Sequence, residues 1–187
     1  MPRLITGLEP ARIARNLERV REAIAGAGRD PATVDVLAAV KYVPLEEMDA
    51  LRESGLTLLG ENRAQELEDK ATLHPGFRWH FIGQLQSRKV KQILPFAELI
   101  HSVASESALR QLGQHGTPET EILLEVNVAG EEGKAGIAPA EIPHYLELSP
   151  AKVVGLMTMP RLRRIPRTAV RISRAWPSSP PSTDCRG

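Results

Sequence analysis

The chain has 187 residues, 24 of them basic and 23 acidic, and a formal net charge of +1. Its length suits one domain, and so even a charge balance argues against a nucleic-acid or anionic-membrane partner. The one cysteine, Cys185, excludes a disulfide framework and a thiolate metal cluster, so a reducing cytoplasm is the expected compartment. No apolar run approaches bilayer length, and "MPRLITGLEP" lacks the apolar core of a signal peptide. Apolar residues make up 42 % and aromatics only 4 %, which predicts a core of Leu, Val, Ile and Ala.

In chain order, Ile13, Leu17, Val20 and Ile24 have helical spacing within residues 8–28. "VDVLAAVKY" (34–42) reads as a buried strand. "PLEEMDALRESG" (44–55) reads as a helix, with Pro44 in its first turn and Gly55 as its stop. The alternation continues with strands at 56–62, 78–83, 98–103, 120–128 and 152–159. Helices are expected at 63–73, 85–94, 105–116 and 139–148.

Six short apolar strands separated by helices imply α/β architecture with a parallel sheet. No glycine-rich dinucleotide or Walker loop follows the first strand. Polar residues stand instead at successive strand ends: Lys41, Asn62, His80 with Gly83, His101 with Ser102, Asn127, and Met157 to Met159. In a (β/α)8 barrel those ends converge on the face that carries active sites. Two closures are thus open, a doubly wound open sheet or a barrel, and about six strands would make the latter an incomplete (β/α)8 TIM-type barrel. It occupies residues 1–160, followed by a distinct tail at 161–187. That tail has seven arginines, one acid (Asp184) and much Pro and Ser. It has neither helical nor strand periodicity and is expected to be disordered.

Lys41 carries two readings. One is a strand-end lysine that snorkels to water or pairs with Glu46 or Glu47. The other is a Schiff-base lysine whose amine captures an aldehyde. Asn62 is either the cap of the following helix or a donor and acceptor for a planar ligand's hydroxyl. His80 is either a core histidine bonded to backbone or a ligand contact. Ser87, Arg88, Lys89 and Lys91 form a solvated face or an anion site. The five histidines have no metal-ligand spacing.

Six segments, "AAVKY", "LLGENRAQE", "WHFIGQLQSRKVK", "IHSVAS", "LLEVNVAGEEGKAG" and "VVGLMTMP", occur in one order between about residue 8 and Pro160. In that order they resemble the pyridoxal phosphate homeostasis proteins, which are themselves similar to the N-terminal barrel domain of alanine racemase. The resemblance implies a barrel that holds pyridoxal 5′-phosphate as an internal aldimine on Lys41. Asn62 and His80 match residues close to the cofactor ring, and Met157 lies on the strand-six motif beside the site. It also implies a cytoplasmic carrier and regulator rather than a catalyst, with PLP-dependent enzymes as clients and a monomer as the intact form.

The resemblance stops after Pro160, where the family continues into an acidic segment, a long helix and the strands that cradle the cofactor phosphate. A shifted reading frame or truncation is expected to account for this. One choice of degenerate codons for residues 160–186, read from the third base, encodes an acidic loop and an amphipathic helix. The chain would then keep Lys41 without the phosphate cup, leave a raw edge on strand six, and be poorly soluble or molten or else rescued by self-association. The alternatives are a racemase- or decarboxylase-like enzyme, a non-functional frameshift product, and an anion binder acting through the arginine-rich tail.

Overall fold

The computed structural model describes residues 4–159. The domain boundary expected after residue 160, the tail at 161–187 and the reading-frame expectation lie outside the described residues. The elements alternate as the sequence predicts. Helix α1 (Pro10–Gly26) leads to strand β1 (Ala38–Ala39), α2 (Met48–Glu53) and β2 (Leu58–Glu61). Then follow α3 (Ala64–Leu73), β3 (Arg78–Phe81), α4 (Val90–Ile93) and β4 (Leu99–Val103). The described chain ends with α5 (Glu106–His115), β5 (Glu121–Glu125), α6 (Ile142–Leu148) and β6 (Lys152–Met157).

All five strand pairings are parallel, in the order β1-β2-β3-β4-β5-β6. Among the described residues the sheet stays open, with β1 and β6 as its edges. This is the incomplete barrel that the sequence predicts.

Register assigns each side chain to a face. Leu59 and Glu61 stand beside Trp79 and Phe81, and Phe81 beside Ile100 and then Ile122. This face is buried under the helices, which contribute Leu51, Leu67, Ile93, Leu109 and Leu112. Each such side chain adds about 1.5–3 kcal/mol on burial. The opposite face carries Gly60, His80 and Leu99 on successive strands. Gly60 is there because Leu37 and Ile82 close over it: a Cβ would fall 2.9 Å from Leu37 Cδ2.

Several elements are shorter than their patterns. The expected strand 34–42 is reduced to Ala38–Ala39. Among the described residues it pairs with β2 alone, and the turn from Val40 to Val43 ends it. The expected helix 85–94 is a 3-10 turn, Ser87–Lys89, followed by one helical turn. Gly55 closes α2 with φ of 83°, a conformation that favours glycine. On β6, Val154 and Leu156 remain 42 % and 44 % exposed.

Candidate functional site

Lys41 lies just past β1, in a turn. Val43 N donates to Val40 O at 2.9 Å, so Lys41 and Tyr42 are the central turn residues. Pro44 and the 3-10 turn Leu45–Glu47 follow. The N-terminal segment docks here: Ile5 N donates to Tyr42 O at 2.8 Å. Glu47 accepts from Gly7 N at 2.6 Å and Leu8 N at 2.9 Å, so it holds that segment rather than Lys41. Glu46 is likewise absent from the ion pairs of the described residues.

Lys41 Nζ lies 5.2 Å from the centre of the Tyr42 ring. Among the described residues it makes no ion pair. A cation–π contact at such a site is worth about 0.5–1 kcal/mol, so little holds the amine in place. Lys41 borders a cavity of about 190 Å³ with Leu45, Glu66, Asp69 and Lys70.

Asn62 follows directly on β2, the strand paired with β1. Ala39 pairs with Gly60 and Val40 N donates to Gly60 O at 2.9 Å, where the ladder ends; Lys41 and Asn62 each lie two residues beyond that last pair. The capping alternative for Asn62 is not realised. Arg63 occupies the cap position of α3, with no side-chain cap bond. Asn62 Oδ1 is buried and has no hydrogen-bond partner among the described residues. An unsatisfied buried acceptor costs about 1–3 kcal/mol and calls for a donor from elsewhere. The Asn62 backbone is also tightly packed, because Gly83 lies against its carbonyl with no room for a Cβ. Ser102 Oγ in turn donates to Gly83 O.

His80 is buried on the face turned away from the helices, one strand further on. Its Nδ1 lies 3.0 Å from His101 Nε2, with ring centroids 5.1 Å apart. It is therefore paired with a second imidazole rather than with backbone. Burial lowers both histidine pKa values, and the His101 charge lowers that of His80 further. The pair thus favours neutral rings, one donating and the other accepting.

Met157 stands at the opposite edge of the sheet, in register with Glu125. The structure thus places Lys41 and Asn62 just past the ends of the paired strands β1 and β2, sets His80 on the adjoining β3 and leaves Met157 at the far edge of the described sheet. Asn127 and the basic cluster have local roles. Asn127 staples its own loop through Glu131 O at 2.9 Å and Glu131 N at 3.2 Å. Arg88 and Lys89 bond to Gln86 and Gln92.

Sequence reasoning missed Glu61, Lys70 and Glu125. Glu125 ends β5, is 3 % exposed, and its carboxyl makes no hydrogen bond among the described residues. Burial raises its pKa against the opposing pull of Lys134. No group of three or more His, Cys, Asp or Glu side chains among the described residues could hold a metal ion. No helix there is long and apolar enough to cross a membrane.

No protein-family model matches the chain. Individual relatives do. The pyridoxal phosphate homeostasis protein of Aquifex aeolicus is 38 % identical over 158 residues, covering 80 % of this chain and 69 % of the relative. That of Pseudomonas aeruginosa is 38 % identical over 157 residues, covering 79 % and 68 %. Among solved structures, PipY of Synechococcus elongatus with PLP bound superposes with a TM-score of 0.64 at 29 % identity, covering 81 % of this chain and 72 % of PipY. Alanine racemase of Clostridium difficile, with a TM-score of 0.55 at 11 % identity over 80 % of this chain and 38 % of the enzyme, shares the fold alone. At 38 % identity across more than two thirds of those curated relatives, this chain belongs to the pyridoxal phosphate homeostasis protein family.

Proposed function

We propose that this chain binds pyridoxal 5′-phosphate and serves the homeostasis of that cofactor in the cytoplasm, with Lys41 as its Schiff-base lysine. One observation carries the reading. Lys41, without an ion-pair partner among the described residues, lies two residues past the last β1–β2 pair, as does Asn62, whose buried Oδ1 has no hydrogen-bond partner there. These residues fit the group. Pyridoxal phosphate supplies an aldehyde for a primary amine and a phenolic hydroxyl for an amide oxygen.

Within this reading each side chain has a defined task. The Lys41 amine leaves the Tyr42 ring at small cost and presents its lone pair once deprotonated. Asn62 Oδ1 accepts a hydrogen bond and thereby orients a planar ring. His80, held against His101, offers a neutral polar edge on the adjoining strand. Met157 belongs to the same proposal through the strand-six motif, although it stands at the opposite edge of the described sheet. A carrier and regulator is the reading that the names of the relatives support over a racemase or decarboxylase. PLP-dependent enzymes would be its clients. The solved structure of PipY with PLP bound supports the cofactor assignment. Self-association belongs to the same proposal, through the exposed Val154 and Leu156 on β6; sedimentation velocity tests it.

Titration of the purified chain with pyridoxal phosphate tests the central claim. A visible absorbance band that Lys41→Ala abolishes, with the fold unchanged, is the expected result. A band that survives Lys41→Ala refutes the assignment.

A further inference from the structure

The Glu61–Lys70 ion pair lies on the helix side of the sheet, directly behind the Lys41 turn. Lys70 is 3 % exposed and Glu61 is fully buried. Lys70 Nζ donates to Glu61 Oε2 at 2.6 Å and to Val40 O at 2.9 Å, and lies 3.5 Å from Glu66 Oε2. The other Glu61 oxygen accepts from Asn62 N at 2.6 Å. The bonds form one continuous chain. It starts at the carbonyl joined to the Lys41 nitrogen, passes through an ammonium and a carboxylate, and ends on the Asn62 backbone.

Packing does not account for this pair. Removing two charges from water is so costly that an apolar pair of equal volume often serves as well or better. What the apolar pair cannot do is hold a carbonyl and an amide at once. Val40 O also closes the Lys41 turn through Val43 N. Swinging Lys41 about that peptide would break both of its bonds. α3, which carries Lys70, begins two residues after Asn62, so the same helix is tied to both strand ends.

We propose that Lys70 and Glu61 are positioning residues that fix the Lys41 turn and the Asn62 backbone relative to one another, and so prepare both for the cofactor. The proposal rests on the cofactor reading above for its purpose but not for its geometry. Errors of about 1 Å in such placement cost up to roughly hundredfold.

The test uses the full chain carrying Glu61→Leu/Lys70→Met, which removes both charges and keeps apolar volume. Circular dichroism monitors the fold, amide hydrogen exchange monitors Val43, and pyridoxal phosphate titration monitors the site. The Val43 bond is untouched by the substitutions, so its exchange reports the turn itself. The expected result is a native spectrum, with Val43 exchange faster and half-saturation weaker, each by roughly tenfold or more. Unchanged Val43 exchange in the folded variant overturns the proposal, as does unchanged half-saturation. If the double variant does not fold, Glu61→Gln, which keeps shape and an acceptor, is measured in its place by the same criteria. A wild-type chain that forms no Lys41-dependent band refutes the cofactor reading, and Val43 exchange then decides the clamp by itself.

Discussion

Lys70 Nζ and Glu61 Oε2 stand 2.6 Å apart in a setting from which water is almost wholly excluded. Breaking such a pair leaves one buried charge uncompensated. Lys70→Met alone is therefore expected to cost about 3–5 kcal/mol, while Glu61→Leu/Lys70→Met recovers most of that loss. Urea unfolding of the two variants and the wild type checks the difference. A single variant as stable as wild type would contradict the burial described.

Gly83 is the second point of tight construction. An added methyl would strike the Asn62 carbonyl, its carbon and its Cα, all of them backbone, so no side chain can move aside. Gly83→Ala is expected to destabilise by about 1–3 kcal/mol, as overpacking does, and to weaken cofactor uptake by shifting Asn62. Thermal melting and pyridoxal phosphate titration measure the two effects separately.

The histidine pair predicts a pH dependence. Burial, then the His101 charge, lowers the His80 pKa from its ordinary 6.5. Arg78 lowers it further, while Glu98 and Asp35 act the other way. Burial alone lowers that of His101. The unfolded chain therefore binds more protons than the folded one just below pH 6.5. The contribution is full above that value and is lost as pH falls through the lowered folded values. Urea midpoints should drop between about pH 7.5 and pH 5, and less steeply in His101→Gln. An equal slope in both proteins would refute this.

Glu125 has the opposite sign. Its folded pKa lies above the ordinary 4.5, because burial opposes its charge more than Lys134 favours it. Its contribution is present below 4.5 and is lost as pH rises through the folded value. Glu125→Gln is therefore expected to stabilise the chain by about 1 kcal/mol near pH 7.5, since it removes a buried unbonded charge. The gain should shrink towards pH 4. Denaturation at the two pH values checks it.

The sequence by itself determined the order of helices and strands, the parallel sheet and the presence of Lys41, Asn62 and His80 at strand ends. Those follow from apolar periodicity and turn residues, which are properties of neighbouring positions along the chain. It also carried the ordered motifs by which the family is legible. Tertiary structure alone decided how long β1 is, because the ladder stops where the chain turns between Val40 and Val43. It alone joined His80 to His101, which depends on register between strands. It alone made Lys70 a buried residue. Along the sequence Lys70 stands four residues after Glu66, the spacing of an ordinary solvated helix pair. Only when α3 settles on β1 and β2 do Glu61 and Val40 O reach it and water leave. Desolvation is a property of neighbours in space, so the support behind Lys41 became visible only in the folded chain.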